Sequence, residues 1–360
     1  MPRIARADAY PVRPVRLIVG GTPGSAPDVI ARLTAQWLSQ RLGQTVFVEN
    51  KNGASDNLAT QAVVDATPDG YTLLSVSASN AINATLFANL KFDFIRDIAP
   101  ISGVVTFPMV ITVNASFPVK DFPALLAYAK ANPGKINIGT PPLGSPQHVA
   151  GELLKMMTGA DIVFVAYRGG PAAISDALSG QIQGAIGTVL LTLPQIKSGG
   201  LRAVAVTSTA RSVLLPEIPT VDQFVPGFEA GQWVGIGAPK KTPVEIVERL
   251  NREINAGMAD ATFKARITDL GGVPLPGSSA DFGKLSPPKP RSGVTSSRSQ
   301  KSSRNKDQRR SLDAGASGRT VRCAQLWQPQ CHESHRACCL NFGSNWPDAR
   351  PVGGVEGGVR

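Results

Sequence analysis

Short apolar runs alternate with longer stretches of helical period along most of this chain. The strand candidates are Val15–Val19, Thr45–Glu49, Tyr71–Val76, Val110–Val113, Ile136–Gly139, Ile162–Val165, Gln183–Ile186, Arg202–Val206 and Val234–Ala238. Helical spacing is expected over 28–42, 57–66, 122–131, 146–157, 171–179, 190–198, 243–257 and 260–269. In the first helix Val29, Ile30, Leu33, Trp37 and Leu38 fall on one face. Thr242-Pro243-Val244-Glu245 has the form of a capped start, with a hydroxyl at N-cap, proline at N1 and glutamate at N3. Strand and helix alternating in this way predict an α/β fold with largely parallel sheets.

The turns that follow the strands are rich in Gly, Ser, Thr and Asn. They are Gly20 to Asp28, Lys51 to Asn57, Ser75 to Asn80, Gly139 to His148, Ala166 to Gly170, and Gly187-Thr188. In a parallel sheet all of these lie at the C-terminal ends of strands, where open α/β folds bind ligands. A small-residue turn opening a helix presents free backbone N–H groups and the positive end of the helix dipole, which favour a carboxylate or phosphate. Neither GxGxxG nor GxxxxGK[ST] is present, so the turn after Val19 fits no dinucleotide or P-loop pattern. Such loops suit a polar small molecule rather than covalent catalysis.

Net charge changes the picture only once it is located. The chain carries +11, yet residues 286–360 hold 13 Lys/Arg against 5 Asp/Glu, leaving the body close to neutral. All four cysteines (Cys323, Cys331, Cys338, Cys339) and two of three histidines (His332, His335) sit in that tail. Their spacing matches neither paired CxxC nor a zinc finger, so no metal site is expected. From Ser286 onward the sequence loses periodicity and reads as disordered. A one-nucleotide shift of a plausible codon set would turn Ser286–Gly293 into an amphipathic helix, which makes the tail a frameshift candidate. Ala7-Asp8-Ala9 has the small-x-small form of a signal-peptidase site without an apolar stretch ahead of it, so residues 1–9 are expected to be the remnant of a cleavage region. No run of 18 apolar residues exists to span a membrane.

With these loops assembled, the chain resembles the Bug-type (TctC-like) solute receptors of tripartite tricarboxylate transporters. The resemblance rests on Tyr10-Pro11-x-Arg13-Pro14-Val15-Arg16-Leu17-Ile18-Val19, Val48-Glu49-Asn50 with Gly53-Ala54, and Pro68-Asp69-Gly70-Tyr71-Thr72-Leu73-Leu74. It continues through Arg96-Asp97-Ile98-Ala99-Pro100, Gly144-Ser145-x-x-His148-x-Ala150-Gly151-Glu152-Leu153, Ala205-Val206-Thr207-Ser208 and Ile218-Pro219-Thr220-Val221. The last matches are Pro226-Gly227-Phe228-Glu229, Trp233 and Ala238-Pro239, so it covers about residues 10–285.

The resemblance implies a two-lobed periplasmic binding protein of the type II, flytrap form. Lobe 1 would comprise residues 10–104 and 235–285 and lobe 2 residues 105–234, with crossovers near Ser102–Pro108 and Gly231–Gly235. It implies a periplasmic monomer that captures a small carboxylate (a di- or tricarboxylate, an amino acid or an aromatic acid) and passes it to membrane permease subunits. No cofactor, metal, catalytic residue or nucleic-acid partner is expected. The candidate ligand contacts are Gly21, Thr22, Pro23, Gly24, Ser25, Asp28, Asn57, Ser77, Ser79, Thr140, Gly144, Ser145, His148 and Thr188.

Some positions depart from the family pattern. The first loop of such receptors usually reads like Pro-Phe-x-Pro-Gly-Gly-x-x-Asp, whereas here Gly20 and Gly21 open it and Ser25 stands for a glycine. Where the family often has Gly-Ala-Gly-Gly-Asn, this chain has Gly53-Ala54-Ser55-Asp56-Asn57, which puts a carboxylate near the cleft, where it either repels an anionic ligand or faces solvent. Other candidates carry two readings each. Asp28 orients its loop as a cap or meets ligand through water, and Ser145 donates to a ligand or caps the helix at Pro146. His148 is expected to make a structural hydrogen bond, since no nucleophile or carboxylate is paired with it. Arg168 holds an anion or an ion pair, and Trp233 belongs to core, hinge or pocket wall.

An enzyme is disfavoured by the lack of a nucleophile elbow, metal motif or acid pair. A DNA-binding regulator is disfavoured because no helix-turn-helix precedes Tyr10 and only the tail is basic. A ligand sensor of the same fold outside transport, or a non-functional frameshifted product, remains the alternative to a transport receptor.

Overall fold

The computed structural model describes residues 10–285; residues 1–9 and the tail from Ser286, with its cysteine cluster and frameshift reading, lie outside the described residues. The chain opens with β1 (Val15–Val19), whose apolar side chains are almost all buried. Helix α1 (Ala26–Leu42) follows, started by Ser25 in extended backbone with Pro27 in its first turn. It is stopped by Gly43, whose φ of 69° is the left-handed conformation that glycine adopts without a Cβ clash. Strand β2 (Val46–Asn50), α2 (Asn57–Val64), β3 (Thr72–Ser77), α3 (Ala78–Leu86) and the short α4 (Phe94–Asp97) complete the first run.

The next strand, β4 (Ile98–Asn114), is 17 residues long. After it come α5 (Phe122–Ala131), β5 (Ile136–Thr140), α6 (Pro146–Thr158), β6 (Ile162–Ala166), α7 (Gly170–Leu178), β7 (Gly184–Thr188), α8 (Val189–Lys197) and β8 (Leu201–Val206). Strand β9 (Gly231–Pro239), α9 (Val244–Ala259), α10 (Ala261–Asp269), β10 (Val273–Pro274) and α11 (Ser279–Lys284) end the described chain.

Strand order is β2-β1-β3-β9-β4-β7-β5-β6, with β10 and β8 also pairing on β4. Within each half the pairing is parallel: β1 with β2 and β3, and β5 with β6 and β7. The centre is antiparallel, since β9 runs against β3 and β4, and β4 runs against β7 and β8. The sheet is therefore mixed, where the alternating pattern predicts a largely parallel one. The reason is β4 itself. From Ile98 to Pro108 it pairs with β9, and from Met109 to Val113 with β7. One strand thus passes from the first half of the sheet into the second, and the direction of approach reverses the pairing.

Only Val110–Val113 of this strand is legible as apolar run, because Pro100, Gly103 and Pro108 read as breaks. In the fold the register shifts between Pro100 and Ser102 and again between Gly103 and Val105, so bulges absorb the irregular residues. Pro108 sits at the handover between the halves. The Thr242 cap also differs from expectation: Pro243 has ψ 138°, α9 begins at Val244, and the Thr242 hydroxyl makes no bond.

Separate cores lie under the two halves. The first joins β1, β3 and β9 to α1, α9 and α10 through Leu17, Ile30, Leu38, Leu73, Ile236, Leu250 and Ile267. On the opposite face, Trp233 packs edge-on against Phe282 of α11, with ring centroids 5.4 Å apart. The second half packs Met109, Ile111, Phe122, Ile138, Leu153, Ile186 and Phe228. Trp233 is a core residue of the first half.

Candidate functional site

A cavity of about 740 Å³ is lined by loops of both halves. Gly20 to Pro27 and Asn52 to Asp56 contribute from the first half, with Ser79; Pro141 to Gln147, Ala166 to Gly170, Thr188 and Leu191 contribute from the second. Gln232 of β9 closes the floor, and its side-chain oxygen accepts a buried hydrogen bond from Gln147 Nε2 at 2.8 Å.

Why these loops converge follows from local structure. Five helices of the described chain have their N-cap residue on this wall: α1 at Ser25, α2 at Asp56, α6 at Ser145, α7 at Gly169 and α8 at Thr188, while α3 reaches it through Ser79 of its first turn. Each follows a strand or its turn, and the first-turn N–H groups lack intrahelical acceptors; the Ser145 and Ser77 side chains take one each in α6 and α3, and the others lie beside the same space. Their dipoles add a positive potential without a formal charge. Ser25 and Thr188 are buried, and neither hydroxyl has a partner among the described residues. Backbone and hydroxyl donors of this kind can hold an anion.

Of the fourteen sequence candidates, Gly21, Thr22, Ser25, Ser79, Ser145 and Thr188 line the cavity. The other eight do not line it. Pro23 and Gly24 are exposed on the loop, and the Gly24 N–H donates to Asp28 at 2.9 Å. Asp28 is buried and also accepts from Asn50 Nδ2 at 2.8 Å and from Arg32 Nε at 3.1 Å. Burial alone would raise its carboxyl, but the bonds from Arg32, Gly24 and Asn50 outweigh that and hold it below the usual carboxylate range. Asp28 therefore acts as the anchor of the first loop.

Asn57 pairs with Asn83, and Ser77 caps α3 together with Asn80. Thr140 is fully buried and its hydroxyl donates to the Pro141 carbonyl. Gly144 has a φ of 82°, and a Cβ there would meet Asn83 Oδ1 at 2.8 Å. Ser145 lines the cavity, and its side chain accepts the His148 N–H at 3.2 Å, the capping one of its two readings. His148 itself is buried with Nδ1 unpartnered, and burial lowers its pKa, which keeps the ring neutral at neutral pH. Arg168 is exposed at the cavity wall.

Gln147, Tyr167 and Leu143, within the expected ligand loops, and Gln232, outside them, line the wall without being among the fourteen candidates. Gln232 had a signal: an amide inside the apolar run of β9, next to the expected crossover. Leu143 had none, since only its contact with the other half matters. Its carbonyl accepts the Ser55 hydroxyl at 2.8 Å across the cleft.

The departures from the family pattern interlock. Gly53 has a φ of 135°, and Ala54, Ser55 and Asp56 follow with φ of 46°, 52° and 71°, a run of left-handed backbone rare for residues with side chains. A Cβ on Gly20 would lie 2.5 Å from Asp56 Cβ, and a Cβ on Gly21 would lie 2.5 Å from Ser25 Oγ. Asp56 and Ser25 thus fill space left by two glycines. Burial pushes the Asp56 carboxyl up to about 6, while hydrogen bonds from the Ser77 and Ser79 hydroxyls work the other way.

Comparison with known proteins agrees with this arrangement. Residues 30–289 match the family described as the tripartite tricarboxylate transporter family receptor. Protein BugT of Bordetella pertussis is 36% identical over 272 residues, which is 75% of this chain and 83% of that protein. Among solved structures, R. palustris Rpa4515 with adipate is 32% identical with a TM-score of 0.74, covering 76% of this chain and 92% of that one. The periplasmic binding protein BugD is 35% identical with a TM-score of 0.71, covering 75% and 91%. These relatives are substrate-binding receptors, not enzymes. The chain belongs to the TctC/Bug family of extracytoplasmic solute receptors of tripartite tricarboxylate transporters.

Proposed function

We propose that this chain is a periplasmic, monomeric receptor that captures a small carboxylate between two lobes and delivers it to the membrane permease subunits of its transporter. Lobe 1 comprises residues 10–104 and 235–285, lobe 2 residues 105–234, and the crossovers run through Ser102–Pro108 and Gly231–Gly235. The observation that carries the reading is the convergence of helix N-termini from both halves of the sheet on one cavity. An anion held there receives donors from both lobes only when they approach, so binding and closure are coupled. The adipate held by the 32%-identical R. palustris protein supports the ligand class. Ordered water suits a cavity of this size, since bridged contacts are nearly as favourable as direct ones.

Titrating the full chain with adipate and a series of shorter and longer dicarboxylates, by calorimetry and small-angle scattering, tests this. Saturable binding with a fall in radius of gyration is expected. Binding without contraction would remove the flytrap mechanism, and no binding across the series would remove the ligand class.

A further inference from the structure

We propose that Asp56 makes this cavity select ligands that carry a protonated amine beside their carboxylate, a zwitterion of amino-acid type rather than a plain dicarboxylate. The inference rests on the carboxylate reading above and narrows it.

Asp56 occupies the N-cap position of α2, where an aspartate ordinarily accepts from its own first turn. Here its side chain makes no such bond. Instead the left-handed backbone turns it towards Gly20, whose missing side chain leaves the room it fills. The Ser77 hydroxyl donates to it at 3.5 Å, and Ser79 is its second hydroxyl neighbour. No Lys, Arg or His forms an ion pair with it among the described residues. Nor do the described residues gather three carboxylate, histidine or cysteine groups that would hold a metal ion. The carboxylate is therefore a partly buried charge on the cavity wall that takes hydrogen bonds from serine hydroxyls and has no cationic partner among the described residues.

The opposite wall carries the complementary group. Among residues lining the cavity Arg168 is the sole base and Asp56 the sole acid, and they belong to different halves of the sheet. A dicarboxylate would set one of its ends against Asp56. A zwitterion places its carboxylate among the helix N-termini and its ammonium on Asp56, which remains predominantly ionised at pH 7 with a carboxyl near 6.

Calorimetry on the full chain at pH 7.5 with two matched pairs, L-aspartate against succinate and 2-aminoadipate against adipate, tests the assignment. The same pairs are measured on Asp56→Asn, which tolerates left-handed backbone, and on Asp56→Gly, which prefers it. In the wild type one amine-bearing acid is expected to bind at least about tenfold tighter than its partner, a difference of ~1.4 kcal/mol. Both variants are expected to bring that ratio close to one. Wild-type binding of the plain acids with equal or greater affinity, or a preference unchanged in both variants, overturns the inference and leaves the receptor reading standing. Failure of all four acids to bind wild type and variants overturns both.

Discussion

Thr22 and Gly169 meet across the cleft: the Thr22 hydroxyl occupies the space that a side chain on Gly169 would enter. Gly169 has a φ of −175°, extended backbone that any residue adopts, so its lack of a side chain serves the approach of the two walls and not the chain's own conformation.

Gly169→Ala is therefore expected to leave the melting temperature nearly unchanged while holding the cleft open. Affinity for a bound carboxylate should fall about tenfold, within the range that overpacking costs. Scattering should show a larger radius of gyration at saturating ligand than for the wild type. A contraction equal to wild type would mean that closure does not need this contact.

Asp28→Asn tests the anchor of the first loop. It removes the charge that accepts from Gly24, Asn50 and Arg32, and should cost about 1–3 kcal/mol of stability at pH 7. Because the folded carboxyl is held below its unfolded value, the wild type's advantage is present above about pH 4 and disappears as pH falls through the lower folded value. Denaturant melts of both proteins from pH 7 to pH 3 give the comparison.

Asp56 has the opposite sign. Its folded carboxyl sits near 6, above the unfolded 3.8, so ionising it on the way from pH 4 to pH 6 destabilises the fold. Asp56→Gly should stabilise the ligand-free protein at pH 7 by about 1–3 kcal/mol, combining relief of charge burial and of left-handed strain. The charge part of that gain should fade below about pH 4, leaving a strain part of about 1 kcal/mol. A variant no more stable than wild type at pH 7 contradicts the argument.

Phe282 closes the outer core of the first half against Trp233, and the surface of Gly235 leaves room for its ring. Phe282→Ala should cost about 3 kcal/mol, as large-to-small core changes do. Trp233 fluorescence, followed through a urea melt, reports the loss at the site itself.

Much of this architecture was readable beforehand because periodicity and turn chemistry agree. Val15–Val19 with the following small-residue turn is a strand and a helix start on both counts, and the structure has both. What was not readable depends on partners distant in sequence. Ser75–Asn80 reads as a loop, yet Ser77 and Asn80 form a capping box that starts α3 there. The length of β4 is hidden by its prolines, which only its bulged pairing with β9 accommodates. The loops forming the cavity were identifiable by composition, and six of the fourteen named contacts line it. Of the rest, Pro23 and Gly24 lie exposed on the first loop, while Asp28, Asn57, Ser77 and Thr140 are taken up by bonds within the fold, which polar residues make as readily as they face ligands. Asp56 stood out as a departure, but its left-handed backbone and its fit to Gly20 appear only in three dimensions.

That fit also orders the changes by which such a wall can arise. An aspartate at 56 cannot sit as it does while position 20 bears a Cβ, because the two would occupy one volume. Position 20 has to lose its side chain first, a step that leaves only a small void, and only then is an acidic 56 tolerated. Reversal is blocked in the same way: restoring a side chain at 20 before removing Asp56 creates a collision. The two residues form an epistatic pair, and Gly20→Ala should be severely destabilising in this chain yet tolerated in the Asp56→Gly background.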